Sequence, residues 1–320
     1  MTGEPKIFYA SLSAFYEKMA HDEVSSFSVP AFNLRLLTFD MARALFRAAQ
    51  KVNTNVFIME IAQSELGYTK QTPKGFAKQC RAAAAAENYQ GPILLQGDHF
   101  KPKNNLEKLI KKAVKAGFYN IDIDCSVLPL QQNIEETNRF IEFIRKNQPQ
   151  DIVVNIGGEV GEIGEENTSV EHLKQFLQSV KGINKVAVQT GTAHGKGGQI
   201  DWQLLKQLSA AAKEYGLAGV VQHGASTLSE DDLRKLPRHG VCEVHLATEL
   251  QDVILDHPLF PSEIKNKFSL YENRKQALGP LKKQINNIPQ TIKDQIMEEV
   301  EKKFIFFFEC LAVDNITLSF

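Results

Sequence analysis

The sequence predicts an α/β fold, a closed (β/α)8 TIM barrel carrying a helical C-terminal extension. Three observations lead there. Short, almost wholly apolar runs alternate with longer segments of helical periodicity, at a spacing of roughly 30 residues, about one βαβ unit. Runs without a polar face belong to a parallel sheet covered on both sides. Polar residues gather at the C-terminal end of nearly every run, and a closed barrel brings those ends to one rim. An open doubly wound sheet has the same local pattern and stays as the alternative; it would string the polar ends along an edge.

In order, a first helix runs through Leu12 to Ala20, and a strand from Phe27 to Phe32 ends at Asn33. A helix over Phe39 to Lys51 places Met41, Leu45, Ala48 and Ala49 at helical spacing, and a strand Asn55 to Met59 ends at Glu60. An alanine-rich helix, Phe76 to Ala86, leads to strand Ile93 to Gln96; helix Leu106 to Ala116 leads to strand Asn120 to Ile123, which ends at Asp124. Helix Ile134 to Lys146 precedes strand Ile152 to Ile156 and the glycine- and glutamate-rich loop Gly157 to Asn167. Thr168 or Ser169 can cap helix Val170 to Val180.

The sixth strand, Val186-Ala187-Val188, runs through small residues to His194. Helix Trp202 to Tyr215, strand Gly219 to Gln222, a short helix Asp231 to Leu236 and strand Val241 to Val244 complete the set, the last running into His245 to Leu250. The barrel spans about residues 25–255 of one domain covering 1–320. In the tail, about 256–320, Pro258, Pro261, Pro280 and Pro289 break a charged segment into short helices before a long one from Gln295 to Ala312. Its face Val300, Phe304, Phe307, Phe308 and Leu311 can pack on the barrel or on a second subunit.

Composition narrows the function. The 320 residues are 43% hydrophobic and 23% charged, ordinary for a soluble enzyme with a large core. A net charge of −1 gives no electrostatic case for nucleic acid or an anionic membrane. The cysteines, Cys80, Cys125, Cys242 and Cys310, are widely spaced and suggest neither a disulfide framework nor a zinc knuckle, which fits a reducing, cytoplasmic setting. No apolar segment approaches a membrane span, and the N-terminus lacks an apolar signal core.

Three apolar runs end in a histidine beside glycine or another small residue: His99 in Gln96-Gly97-Asp98-His99, His194 in Thr192-Ala193-His194-Gly195, and His223 in Gln222-His223-Gly224. Neutral imidazoles from three strand ends, with one position left open, make a catalytic zinc site. Any one alone reads as a hydrogen-bonded loop histidine, and His21, His172, His239 and His257 are treated as surface residues. Asp98 precedes a candidate ligand, so it can face substrate as an acid/base or fix a histidine tautomer. The acidic loop holding Glu159, Glu162, Glu165 and Glu166 can supply a proton acceptor or be an exposed charged turn. Gly195, Gly224, Ala225, Ser226 and Thr248 offer amides and hydroxyls where barrels often hold phosphate. Strand six ends Val188-Gln189-Thr190 with no lysine for a Schiff base, which favours a metal.

Asp98-His99, Gly191-Thr192-Ala193-His194-Gly195, His223-Gly224-Ala225-Ser226, Ala247-Thr248-Glu249-Leu250 and Val29-Pro30-Ala31-Phe32-Asn33 together resemble the class II, zinc-dependent ketose-bisphosphate aldolases. Their wording is nearer the tagatose-bisphosphate branch, and the resemblance covers about residues 29–251. It implies a TIM barrel that forms homodimers or homotetramers and takes a sugar phosphate. One Zn2+ would be held by His99, His194 and His223 with Glu159 nearby, and a monovalent cation is a further candidate. Asp98 would work as acid/base on the oxygens at the cleaved bond. Asn33, Gly195, Gly224, Ala225, Ser226, His245, Leu246, Ala247 and Thr248 fall where the substrate, with its dihydroxyacetone phosphate portion, is held.

Departures fall on the substrate side. Gln96 stands where the family has histidine, and His245 where it has an asparagine that touches substrate. The family's serine after strand two is replaced within Glu60-Ile61-Ala62-Gln63-Ser64, and the glutamate that abstracts the C1 proton is matched by Glu166 or Glu165 only after a shift of register. The expectation is a zinc-dependent aldolase forming or cleaving a phosphorylated ketose through an enediolate. A non-catalytic accessory barrel and a metal-dependent isomerase or hydrolase stand as alternatives.

Overall fold

A computed structural model describes residues 7–23, 26–103, 105–161, 166–192 and 199–319. Eight parallel strands close in chain order into a barrel: β1 (Val29–Asn33), β2 (Ile58–Ala62), β3 (Leu95–Phe100), β4 (Asn120–Ile123), β5 (Asn155–Val160), β6 (Lys185–Val188), β7 (Val220–Gln222) and β8 (Val241–Leu246). β8 returns to β1 with His245 opposite Ala31. Every residue of β1, β2 and β8 is buried, as expected of strands covered by helices outside and filled by side chains inside. The open-sheet alternative is thereby set aside.

Several strands lie further along the chain than expected. β2 begins at Ile58 rather than Asn55, so Glu60 sits inside it and not at its end. β5 begins at Asn155, which leaves Val153 more than half exposed and carries Glu159 within the strand. Ile93 belongs to a two-residue ladder outside the barrel, where Phe8–Tyr9 pairs with Pro92–Ile93, and β3 runs on to include Asp98 and His99. The helices follow the expected order, with two that the sequence reading did not separate, Gln63–Tyr68 and Thr248–Leu255. Ser169 is the cap of helix Val170–Ser179, its hydroxyl accepting from the His172 amide at 3.1 Å.

The tail forms helices Ser262–Lys267, Arg274–Asn286 and Gln290–Cys310. Pro280 lies inside the second of these, not at a break. Gly279 beside it is required by close approach: a Cβ there would meet the Tyr68 carbonyl oxygen at 2.1 Å. The last helix settles where its apolar face goes. Phe304 and Phe308 meet Phe32 of β1 with ring centroids 4.8 and 5.7 Å apart, and Phe304, Phe307 and Phe308 are fully buried within the chain. Among the described residues no helix is long and apolar enough to cross a membrane.

Candidate active site

The geometry of the mouth starts with an irregularity in β3. Its register against β4 runs from Gly97–Ile121 to Phe100–Ile123, one residue more on β3 than on β4, and His99 takes φ +47°. Successive residues of a regular strand point to opposite faces; a bulge removes that alternation. Asp98 and His99 therefore line the same cavity of about 140 Å³, together with His223, His245 and Asn33. Asp98, read from sequence as facing substrate or fixing a histidine tautomer, thus shares the cavity with the candidate ligand beside it, and both lie within the strand.

His99 is oriented by carboxylates. Its Nδ1 lies 2.8 Å from Asp124 Oδ2 and 3.1 Å from Glu159 Oε2, while Lys101 Nζ reaches Asp124 at 3.2 Å. A proton on Nδ1 directed at Asp124 leaves the lone pair on Nε2. Donor atoms of Asp98, His99 and His223 lie within 4.8 Å of one another, and the His99 and His223 ring centroids are 4.6 Å apart. Glu159 joins His99 and Asp124 in a second such group, on the Nδ1 side, rather than the group that includes His223.

Other expected positions fall out unevenly. Gly224, Ser226, Ala247 and Thr248 line the cavity, whereas Ala225 and Leu246 are fully buried and do not. Glu166 is exposed and does not line it. His194, Gly195 and Glu165 lie outside the described residues.

Beneath the mouth the barrel interior is filled by charge. His245 Nε2 lies 2.7 Å from Glu243 Oε1, and its Nδ1 lies 3.4 Å from both Glu60 Oε1 and Asp98 Oδ1. Gln96 Nε2 donates to Glu60 at 2.9 Å and to Glu243 at 2.8 Å. Lys185 Nζ donates to Gln96 Oε1 at 2.9 Å, contacts Asp122 Oδ1 at 2.9 Å and pairs closely with Glu243, which also accepts from the Tyr16 hydroxyl. Room for this comes partly from Gly157, where a Cβ would meet Asp122 Oδ1 at 2.3 Å.

The ionisation states follow from these neighbours. Burial alone would raise the Asp98 carboxyl, but His99 and His245 outweigh it and hold it well below the usual carboxylate range. Burial, reinforced by Asp98 and Glu243, pushes Glu60 well up against the pull of His245. Burial disfavours charge on His245, yet Glu60 and Asp98 raise it well above the ordinary value. Glu159 is pushed up to about 7, chiefly by burial and then by the charge of Asp124. Lys185 would be lowered by burial, but Asp122 and Glu243 raise it; it does not line the cavity, and a lysine held as ammonium is not a Schiff-base nucleophile.

Sequence reasoning missed four cavity residues altogether, Glu65, Tyr68 and the two cations Arg35 and Lys275. Arg35 is almost wholly buried, with its Nε on Glu65 at 2.5 Å and its Nη1 without a hydrogen bond; Lys275, from tail helix Arg274–Asn286, lines the same cavity. Burial and the nearby Arg35 charge both lower Lys275. No motif marks either residue. Lys185 and Glu243 did leave a signal, a charge set inside an otherwise apolar strand, which demands a buried partner.

Residues 15–308 match the family model described as fructose-bisphosphate aldolase class-II. The chain belongs to that family. Class II aldolases are carbon–carbon lyases, generally metal-dependent, and this member carries groups of residues able to hold a metal. Solved structures share its fold. The fructose-bisphosphate aldolase (Fba) from Campylobacter jejuni is 21% identical with a TM-score of 0.70, covering 96% of each chain. The YdjI aldolase from Escherichia coli K12 is 16% identical with a TM-score of 0.69, over 96% of this chain and 98% of that one. A putative fructose-1,6-biphosphate aldolase from Coccidioides immitis is 19% identical with a TM-score of 0.67, over 94% and 96%.

Proposed function

We propose that this class II aldolase uses zinc to cleave, or in reverse to form, a phosphorylated ketose, with dihydroxyacetone phosphate as the three-carbon fragment. One observation carries the reading: Asp98, His99 and His223 converge on the floor of a cavity whose wall bears the cations Arg35 and Lys275. The imidazoles fit zinc, since histidine nitrogen is one of its usual ligands and Asp124 turns the His99 lone pair to Nε2. His194 would complete the set. A divalent cation supplies Lewis-acid stabilisation of the charge left on the three-carbon fragment when the carbon–carbon bond breaks.

The chain's own residues do the rest. Asp98, held ionised, takes the proton from the hydroxyl at the cleaved bond and returns it to the aldehyde oxygen in condensation. Gly224, Ser226 and Thr248 offer amides and hydroxyls to a phosphate, and Arg35 on the same wall offers a guanidinium charge. The C1 proton is assigned to the acidic loop, Glu165 or Glu166.

The test is chelation followed by zinc add-back, assayed with dihydroxyacetone phosphate against glyceraldehyde, its 3-phosphate, and tetrose and pentose aldehydes. Activity is expected to vanish and return with zinc. Turnover untouched by the chelator, or a borohydride-trapped adduct on a lysine, would overturn the reading. A homodimer or homotetramer is proposed from the resemblance and a cytoplasmic setting from the unpaired cysteines, and light scattering on the purified protein checks the association.

A further inference from the structure

We propose that His245 is a positioning residue for Asp98: clamped from below by the buried Lys185–Glu243 pair, its ring holds one oxygen of the Asp98 carboxylate and leaves the other for substrate. The inference rests on the aldolase reading above, in which Asp98 serves the aldehyde half. It departs from the substrate contact that the family resemblance implies for this position.

One face and both nitrogens of the His245 ring are accounted for. Its residue is 5% exposed, and one face lies against His223 with ring centroids 4.3 Å apart. Nε2 is fixed on Glu243 at 2.7 Å. Glu243 cannot swing away, because Lys185, Gln96 and Tyr16 all donate to it from β6, β3 and the helix Ser13–Ala20. The opposite nitrogen, Nδ1, is left facing Asp98 Oδ1 and Glu60 Oε1 at equal distance. Among the described residues, none of these three atoms has an aligned hydrogen bond, to one another or elsewhere, so the 3.4 Å ion-pair contacts are what join them. Of the two carboxyls, Asp98 lines the cavity and Glu60 does not, so the imidazole edge links the fixed interior to the group at the mouth.

Asparagine and alanine at 245 would treat this link differently. Asn presents an amide N–H near the place of Nδ1; Ala presents nothing and frees Asp98 to turn. A carboxylate misplaced by about 1 Å loses on the order of 10²-fold in the step it serves, without weakening binding.

The experiment separates the two halves of the reaction. His245→Ala is expected to lower kcat for condensation with the best aldehyde of the panel by about 10–10²-fold, with KM for that aldehyde changed less than about twofold. Zinc per chain and solvent exchange of the C1 proton of dihydroxyacetone phosphate, neither of which needs Asp98, should stay at wild-type levels. His245→Asn should recover most of the loss. A fall in C1 exchange alongside condensation would overturn the proposal by placing His245 on the three-carbon half, and so would loss of zinc or unchanged kcat. If His245→Ala does not fold, Glu243→Gln loosens the other end of the clamp and should give a smaller loss confined to kcat; unchanged kcat there also overturns it. Wild-type protein that exchanges no C1 proton would instead fail the aldolase reading, before any variant is made.

Discussion

Asp98 and His99 are adjacent in sequence, yet the extra residue in β3 delivers both to one cavity. The cost is a non-glycine residue at φ +47°, a conformation that persists only where surrounding structure holds it. Two outcomes follow at this scale. Asp98→Ala should retain zinc and depress the carbon–carbon step by about 10²–10⁴-fold, the range for a lost acid/base, measured as kcat with metal content on the same sample. His194→Ala should empty the metal site with little change in the far-ultraviolet circular dichroism spectrum; stoichiometric zinc in that variant would refute its assignment as a ligand. Asp98, His99 and His223 were legible because each closes an apolar run beside a small residue. Arg35 and Lys275 were not, since their partnership exists only once a tail helix has folded over a β-strand end some 240 positions away, about the whole length of the barrel.

At the scale of elements, the order of strands and helices could be read from alternation alone, but the strand limits could not. From sequence, an apolar run ends at Glu60, and Glu159 falls in the loop that follows another. Both are buried inside β2 and β5, because interior positions near the mouth are filled by carboxyls whose partners come from distant strands. Local hydrophobicity reports burial only when burial is apolar. The last helix shows the opposite case: its phenylalanine face was plain in the sequence, and only the choice between barrel and second subunit needed coordinates. Phe304, fully buried and edge-on to Phe32, locks that helix to β1. Phe304→Ala should cost about 3–5 kcal/mol of unfolding free energy in urea titration. A loss below about 1 kcal/mol would show that the tail contributes little to the core.

For the molecule as a whole, the charged barrel interior sets the response to acid. Burial would raise Glu243, but Lys185 and His245 bring it down to about 2 from an ordinary 4.5. A carboxyl lowered in the fold contributes stability fully present above its unfolded value and lost as pH falls through the folded one, so this share drains between 4.5 and about 2. Asp122, raised to about 6 mainly by burial, has the opposite sign: its ionisation costs stability as pH rises through that value. Urea midpoints should therefore drop steeply only below about pH 4.5, and Glu243→Gln, less stable at neutral pH, should show a shallower acid limb. An equally steep limb would remove Glu243 from the account.

Binding belongs to this scale too, because the cations at the mouth come from opposite ends of the chain. Arg35→Met and Lys275→Met should each raise KM for the phosphorylated substrate by about 10–100-fold, the equivalent of one charge-assisted hydrogen bond, with kcat far less affected. Unchanged KM in both would leave the cavity wall without a role in recognition.

The bulge in β3 has a last consequence, for how such an enzyme can diversify. With acid/base and ligand welded into consecutive positions of one strand, neither can drift without dragging the other out of line. New substrates must be accommodated by exchanging what overhangs them, and the overhang is lent by a tail that the reacting centre never has to consult.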